Sequence, residues 1–147
     1  MDIKQLYKKT ILQHNRHPQN YGKPDSFTHS AEGLNAICGD QVFVFLTIEG
    51  ECISQIHFDG ESCAISTASS SLMTQFLQGK TVEQAKALFV DFCRLMDKNN
   101  SIQSLPSLGE VNAMAGVKNF PARIKSATLC WHAMNAALEG QATATTE

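Results

Sequence analysis

The sequence predicts an α+β fold, with a small antiparallel three-stranded sheet and helices packed on one of its faces. The first supporting observation is a hairpin pattern at residues 41–58, which is rich in Val and Phe and has a Gly-containing turn in its middle. The second is the change to helical periodicity in the chain that follows. The third is the length of 147 residues, which makes one domain that buries roughly 68–70% of its unfolded surface. Such a domain needs neither a disulfide nor a metal to form its core.

The first element is a helix over residues 2–15, for which Asp2 is a suitable N-cap. Apolar side chains recur on one face of this helix at Ile3, Leu6, Tyr7 and Ile11. Residues 16–37 are polar and rich in Gly, Pro and Asn, so we predict a long loop there. A loop of that length in a compact domain is usually functional or mobile.

The hairpin consists of a strand at 41–48, a turn at 49–51 and a return strand at 52–58. Residues 61–65 are expected to add the short third strand. These strands form the antiparallel sheet of the predicted fold.

Four helical segments follow the sheet, at about 66–78, 81–98, 107–115 and 121–139. A capping box at Thr81 opens the second of them, and Pro121 suits the first turn of the last. Gly140 ends the last helix. The chain is therefore predicted to be a single domain over residues 1–140, and residues 141–147 are expected to be a disordered tail.

Composition argues against two classes of partner. The net charge is −2 and no basic stripe is present, so we do not expect nucleic acid as a partner. No apolar run approaches the roughly 20 residues of a membrane span. The N-terminus lacks the apolar region of a signal peptide, so we expect a reducing cytoplasm. In that compartment the five cysteines are expected to be free, metal-bound or reactive rather than disulfide-bonded.

The segment Cys38-Gly39-Asp40 is the first candidate for a functional site. Side chains two positions apart on an extended chain point to the same side, and Gly39 lets the thiol and the carboxylate converge. Cys63 follows the predicted strands and precedes a helix, whose dipole and free N–H groups favour a thiolate. Thiolate and carboxylate ligands together suit zinc or iron. We therefore expect Cys38, Asp40 and Cys63 to form a metal site at one end of the sheet, with Asp40 exposed in its loop.

The alternative is that these cysteines are small buried hydrophobic residues, as cysteine often is. The polar, turn-forming neighbours of Cys38 and Cys63 argue against that alternative. Cys52 lies on an apolar strand face and Cys93 on an apolar helix face, so both are predicted to be packing residues.

Several motifs occur in order along the chain: Leu6-Tyr7 with His14 and Pro18, Cys38-Gly39-Asp40, Phe58-Asp59-Gly60, Cys63-Ala64-Ile65-Ser66 with Ala68-Ser69, Gly79-Lys80, and Phe120-Pro121-Ala122-Arg123-Ile124-Lys125. In these motifs the sequence resembles the U-type iron–sulfur assembly proteins, from about residue 5 to residue 138. Within that family it is similar to the SufU branch. The chain between Cys63 and position 126 has room for an extra helical segment at about 81–105 that the IscU branch lacks. Lys125 stands where the IscU branch typically has a histidine, and that branch's Pro-Pro-Val-Lys segment is absent.

The resemblance implies a SufU/IscU-like α+β fold and a site of three cysteines plus an aspartate. That site binds zinc in SufU-like proteins and assembles a [2Fe–2S] cluster in IscU-like proteins. The implied partners are a SufS-like cysteine desulfurase and, downstream, an Fe–S assembly complex or apo-protein acceptors. The implied roles are sulfur acceptor for Cys38 and metal ligands for Cys38, Asp40 and Cys63.

The sequence departs from the family pattern at Ser126, where the family has its third cysteine. A neutral hydroxyl is a poor ligand for zinc or iron. Cys130 lies four residues further on the same helix and leans back toward Ser126, but it is displaced by about 6 Å along the axis. Two alternatives stay open: Cys130 replaces the missing metal ligand, or Cys130 packs beside Trp131 and the ligand is missing. Ser126 itself is either natural or an engineered replacement.

Three functions are consistent with these residues. The first is an iron–sulfur assembly scaffold that binds metal or a cluster. The second is a zinc-dependent sulfurtransferase in which zinc holds Cys38 poised for persulfide attack. The third is a non-catalytic partner that docks on the desulfurase and lost its chemistry with the third cysteine.

Overall fold

The computed structural model describes residues 2–146 of the chain, except for the side chain of Ile3. The elements, in chain order, are α1 (Ile3–Arg16), β1 (His29–Asn35), β2 (Asp40–Glu49), β3 (Cys52–Asp59), α2 (Ala64–Leu77), α3 (Val82–Met96), a 3-10 helical segment (Pro106–Asn119), α4 (Pro121–Leu138) and β4 (Thr143–Thr145). The predicted α+β class, the hairpin and the helices are confirmed, with shifts of a few residues at the boundaries.

The sheet has four strands in the order β3-β2-β1-β4, not the predicted three. β1 pairs antiparallel with β2 and lies inside the segment predicted to be a loop. β4 pairs parallel with β1 and lies in the tail that was expected to be disordered. The predicted short strand at 61–65 does not form, because α2 begins at Ala64.

β1 carries few strand-forming residues, and its position depends on contacts with α4. A Cβ at Gly33 would lie 3.1 Å from the side chain of Leu129 and 3.3 Å from that of Ala133. The bare glycine therefore lets α4 approach the strand closely. This tertiary contact, together with the pairing to β2, explains why local sequence signals missed the strand.

A β-bulge in β3 changes which side chains of the hairpin face the core. Thr47 pairs with Gln55 and Ile48 pairs with Ile53, so Ser54 is the extra residue, and its hydroxyl donates to the Thr47 carbonyl at 3.1 Å. The bulge resets the alternation and buries Ile53 on the same side as the rest of the core. Cys52 is consequently exposed, and the prediction that it is a packing residue was wrong.

The helices pack on one face of the sheet, where α4 contacts β1 and β2 and α2 contacts β3. Trp131 of α4 is fully buried and stacks on Phe92 of α3, with 4.6 Å between ring centroids. On the opposite face Phe27 covers Phe45, with 5.0 Å between centroids. Within residues 2–146, no helix is both long and apolar enough to cross a membrane.

α2 is buried through small hydroxyl side chains rather than large apolar ones. Ser69 donates to the Ala127 carbonyl of α4 at 2.6 Å. Ser71 contacts His14 Nδ1 at 2.7 Å and also accepts the Gln19 N–H at 2.7 Å. Because Ser69 and Ser71 have partners outside α2, α1 and α4 can both approach this helix closely, and this places the start of α2 beside the start of α4.

Candidate functional site

Cys38 lies in the short turn between β1 and β2. Gly39 has φ +71°, a left-handed conformation that glycine adopts without strain, and it turns the chain into β2. The backbone N–H of Cys38 points to Asn35 Oδ1 at 3.4 Å. Cys38 Sγ lies 3.9 Å from the carbonyl oxygen of Ala122 in the first turn of α4. The half-buried thiol is therefore positioned where the sheet meets the start of α4.

Cys63 is the N-cap residue of α2, so it precedes a helix as predicted, although the helix begins at Ala64 and not at about residue 66. The loop before it is pressed against β2, since Gln41 N–H donates to the Glu61 carbonyl at 2.9 Å. Gly60 has φ +113°, and a Cβ there would overlap the carbonyl oxygen of Gln41. Only glycine fits this close approach, which holds the half-buried Cys63 beside the first residue of β2.

Asp40 is that first residue, and its carboxylate connects three elements. Its Oδ1 accepts the Cys63 backbone N–H at 2.8 Å, and its Oδ2 accepts the Ser126 hydroxyl at 2.7 Å. Asp40 is only 1% exposed and Ser126 is 0% exposed. The expectation that Asp40 is an exposed loop carboxylate was therefore wrong, because the starts of α2 and α4 both cover it.

Ser126 and Cys130 occupy different levels of α4. Ser126 faces Asp40, whereas Cys130 Sγ lies deeper, 3.6 Å from Ser69 Oγ and 3.9 Å from the Ala127 carbonyl. Cys130 is fully buried, and this burial raises the pKa of its thiol to about 11. The Cys130 thiol lies in the core beside Ser69 rather than beside Asp40, so ligation by Cys130 would require α4 to rearrange. The role of Cys130 as a ligand stays a prediction.

The donor set does not fit a resident tetrahedral zinc ion. Among residues 2–146, no group of three or more His, Cys, Asp or Glu side chains is arranged to hold a metal ion. Both oxygens of Asp40 face protein donors, and a neutral hydroxyl stands at the position of the third family cysteine. Structural and catalytic zinc sites supply at least three protein ligands. That Cys38, Asp40 and Cys63 bind one ion together stays a prediction.

A cleft of about 490 Å³ opens beside Cys63. It is lined by Tyr7, Cys63, Ala64, Ile65, Phe120 and Arg123. Burial raises the pKa of Tyr7, the cation of Arg123 opposes that rise, and the negative charge of Cys63 adds to it. Tyr7 stacks on Phe120 with 6.3 Å between centroids, and Phe120 is 50% exposed. The cleft therefore places a cation and two aromatic rings next to the thiol.

Sequence reasoning did not assign a site role to Tyr7 or Arg123. Tyr7 belongs to α1 and Arg123 to the first turn of α4, so neither is near Cys63 in sequence. The only available signal was that both belong to the motifs shared with the U-type assembly proteins.

Two buried polar atoms adjoin the two thiols. Within the described part of the chain, Asn35 Nδ2 and Ser66 Oγ are the buried side-chain atoms without a hydrogen-bond partner. Asn35 precedes Cys38 by three residues and pairs with Asp40 across the sheet. Ser66 follows Cys63 by three residues, so the two lie on one face of α2. Both are hydrogen-bond donors at the edge of the site.

Comparisons with known proteins identify the family of this chain. The model of the NifU-like N terminal domain matches residues 6–127. The chain is 38% identical over 130 residues to a protein of Bacillus subtilis (strain 168) named zinc-dependent sulfurtransferase SufU, covering 88% of this chain and 86% of that one. It is 36% identical over 143 residues to the iron–sulfur cluster assembly scaffold protein IscU of Streptococcus pyogenes serotype M1, covering 97% of this chain and 88% of that one.

Solved structures show the same fold. A crystal structure described as a putative iron–sulfur cluster assembly scaffold protein for the SUF system, from Fervidobacterium islandicum AW-1, superposes with a TM-score of 0.80 at 29% identity. The alignment covers 91% of this chain and 97% of that chain. The SufU/IscU-like fold expected from the sequence is therefore confirmed.

Proposed function

The chain belongs to the NifU-like N-terminal domain family, and on that premise we propose that it is an iron–sulfur cluster assembly protein whose Cys38 accepts sulfur from a cysteine desulfurase. The observation that carries the proposal is the placement of two half-buried thiols near one buried carboxylate at the start of β2. Cys38 lies two residues before Asp40, and the Cys63 N–H donates to Asp40. The names of the SufU and IscU relatives support the same role.

The sulfur-transfer step needs no additional reactant. The Cys38 thiolate attacks the outer sulfur of a persulfide on the desulfurase. An S–S bond forms between that sulfur and Cys38 Sγ, the bond to the desulfurase sulfur breaks, and the desulfurase leaves as a thiolate. The product is a persulfide on Cys38 with its terminal S–H, so atoms and electrons balance.

Accessibility favours Cys38 over the cysteines outside the site. Burial raises the pKa values of Cys93 and Cys130, which keeps those thiols protonated and less nucleophilic. Cys52 is exposed, but it begins β3, whereas the loop to Cys63 leaves from the other end of that strand, about 23 Å away for eight residues of strand. A desulfurase that docks at the starts of α2 and α4 would therefore not present its persulfide to Cys52.

The cargo in this proposal is sulfur, followed by iron, held by the thiolates of Cys38 and Cys63. The recipients are an Fe–S assembly complex or apo-proteins. All five cysteines are free, which suits a reducing compartment such as the cytoplasm.

Mass spectrometry after incubation with a cysteine desulfurase and cysteine tests this function. We expect the added sulfur on Cys38, and its loss in Cys38→Ala but not in the control Cys52→Ala. Sulfur found mainly on Cys52 or Cys93, or an unchanged yield in Cys38→Ala, would contradict the proposal.

A second function is a non-catalytic partner of the desulfurase, and the observation that favours it is Ser126 at the position of the third cysteine. A partner of this kind would bind the desulfurase and alter its turnover while Cys38 gained no sulfur. The same experiment, combined with a binding measurement, separates the two functions.

A further inference from the structure

We propose that the Ser126 hydroxyl locks Asp40 and keeps it out of metal coordination, so that this chain's site is a two-thiol carrier without a resident zinc ion. The inference deepens the proposed function and rests on it for the identity of the cargo. Its evidence lies in the contacts of Asp40 and the placement of the cysteines.

The lock uses both oxygens of one carboxylate. Ser126 Oγ donates to Oδ2 at 2.7 Å and the Cys63 N–H donates to Oδ1 at 2.8 Å. Both distances suit hydrogen bonds to a charged acceptor, which are about twice as strong as neutral ones. Asp40 and Ser126 are buried, so water does not compete for either group. To ligate a metal, the carboxylate would have to give up at least one of these donors.

No other side chain supplies the missing ligand. The position that faces Asp40 from α4 carries a hydroxyl, which stays neutral at ordinary pH. Cys130 is the nearest thiol on the same helix, but it contacts Ser69 one turn deeper in the core. Cys38 and Cys63 are then the only thiols at the site in the part of the chain that the structure describes, and two thiols do not complete a tetrahedral zinc site.

The lock has a consequence for sulfur transfer. A thiol that is not bound to zinc needs only deprotonation before it attacks a persulfide, because no metal–sulfur bond has to break first. Asp40 meanwhile joins the start of α2 to α4 through its two hydrogen bonds, which fixes Cys63 against the residue that follows the Cys38 turn. In this chain Asp40 and Ser126 therefore act as positioning residues for the two thiols.

Zinc affinity, measured by competition with a chromogenic chelator, tests the lock in four purified proteins: wild type, Ser126→Cys, Ser126→Ala and Ser69→Ala. Ser126→Cys adds a third thiolate and should tighten zinc binding by about 100-fold or more, beyond the 10- to 100-fold that ligand-supporting residues contribute. Ser126→Ala removes the donor from Asp40 and should tighten binding by about tenfold, the lower end of what a hydrogen bond to a charged group is worth.

Ser69→Ala is the matched control. It removes a serine hydroxyl from the same contact between α2 and α4, but that hydroxyl donates to the Ala127 carbonyl rather than to Asp40. Its zinc affinity should equal that of the wild type. The lock is overturned if wild type holds zinc as tightly as Ser126→Cys, or if Ser126→Ala binds zinc no more tightly than wild type and Ser69→Ala.

Sulfur transfer, measured in the presence of the chelator, separates this inference from the proposed function. The lock predicts that zinc-free wild type still acquires sulfur on Cys38. A requirement for added zinc would overturn the lock and leave the function intact. Failure of transfer with and without zinc, while the order of zinc affinities holds, would overturn the function and leave the lock intact.

Discussion

Replacing Asp40 by alanine should destabilise the metal-free protein strongly, whereas an aspartate exposed in its loop, as the sequence predicted, would have contributed little to the fold. The substitution leaves the Cys63 N–H and the Ser126 hydroxyl without their acceptor. Each buried donor left unsatisfied costs about 1–3 kcal/mol. The value for the half-buried Cys63 lies at the lower end of that range, and that for the fully buried Ser126 lies at the upper end.

The net effect is smaller than the largest sum of these costs, because removing a buried carboxylate also removes its desolvation penalty. We expect a loss of about 3 kcal/mol in the free energy of unfolding, a large share of the 5–15 kcal/mol that holds a typical domain together. Asp40→Asn should lose only about 1 kcal/mol. Its amide keeps one acceptor for the Cys63 N–H, and its NH₂ group can donate to the Ser126 oxygen.

Urea denaturation in the presence of a chelator measures these losses as shifts in the midpoint at constant m-value. Asp25→Ala is the control, since Asp25 is exposed and its removal should change stability by less than about 0.5 kcal/mol. If Asp40→Ala lowers the free energy of unfolding as little as this control does, Asp40 does not anchor the starts of α2 and α4. Its role would then concern only the sulfur and iron that the site holds.

Two further predictions concern titration and thiol reactivity. Burial lowers the pKa of His14, and Glu110 partly opposes this shift, so the folded state prefers the neutral imidazole. The contribution of His14 to stability is therefore present above its ordinary pKa of about 6.5. This contribution is lost as the pH falls toward the folded-state pKa. The fall in the free energy of unfolding between pH 7 and pH 5 should therefore be shallower in His14→Gln than in wild type, and equal slopes would contradict this account. Iodoacetamide should modify Cys52 and Cys38 in the native protein within minutes and spare Cys130 until the protein is unfolded, because Cys130 is fully buried and its thiol has a pKa of about 11. Peptide mass spectrometry would follow the labelling of each cysteine. If native Cys130 were labelled as fast as Cys52, this result would contradict the packing of α4 against α2.

Local patterns were sufficient to predict the hairpin and the helices, since each carries its own periodicity or capping residue. The capping box at Thr81 and the stop at Gly140 are examples, because the structure begins α3 at Val82 and ends α4 at Leu138. β1 could not be predicted in this way. Its strand state comes from pairing with β2 and from the contact of Gly33 with α4, which lie elsewhere in the sequence.

In the candidate site too, local sequence predicted some features, whereas contacts between distant residues determined the others. Cys38, Asp40 and Cys63 were found from short motifs whose residues are close in sequence. The contact between Asp40 and Ser126 joins residues 86 positions apart, so the local sequence around either residue does not predict it. Cys52 shows a smaller failure of the same kind, because one bulged residue in β3 inverted the strand alternation on which its predicted burial depended.

Helical geometry decides between Ser126 and Cys130. Four residues advance a helix by about 6 Å along its axis while returning to nearly the same face, so the two side chains project from nearly the same side of α4 at different levels. The upper level holds Cys63, Asp40 and Ser126 at the starts of α2, β2 and α4. Ser69 lies six residues, or about 9 Å, beyond Cys63 along α2, and Cys130 meets it there. The chemistry of the site therefore depends on which residue stands at position 126, because only that position of α4 faces the carboxylate.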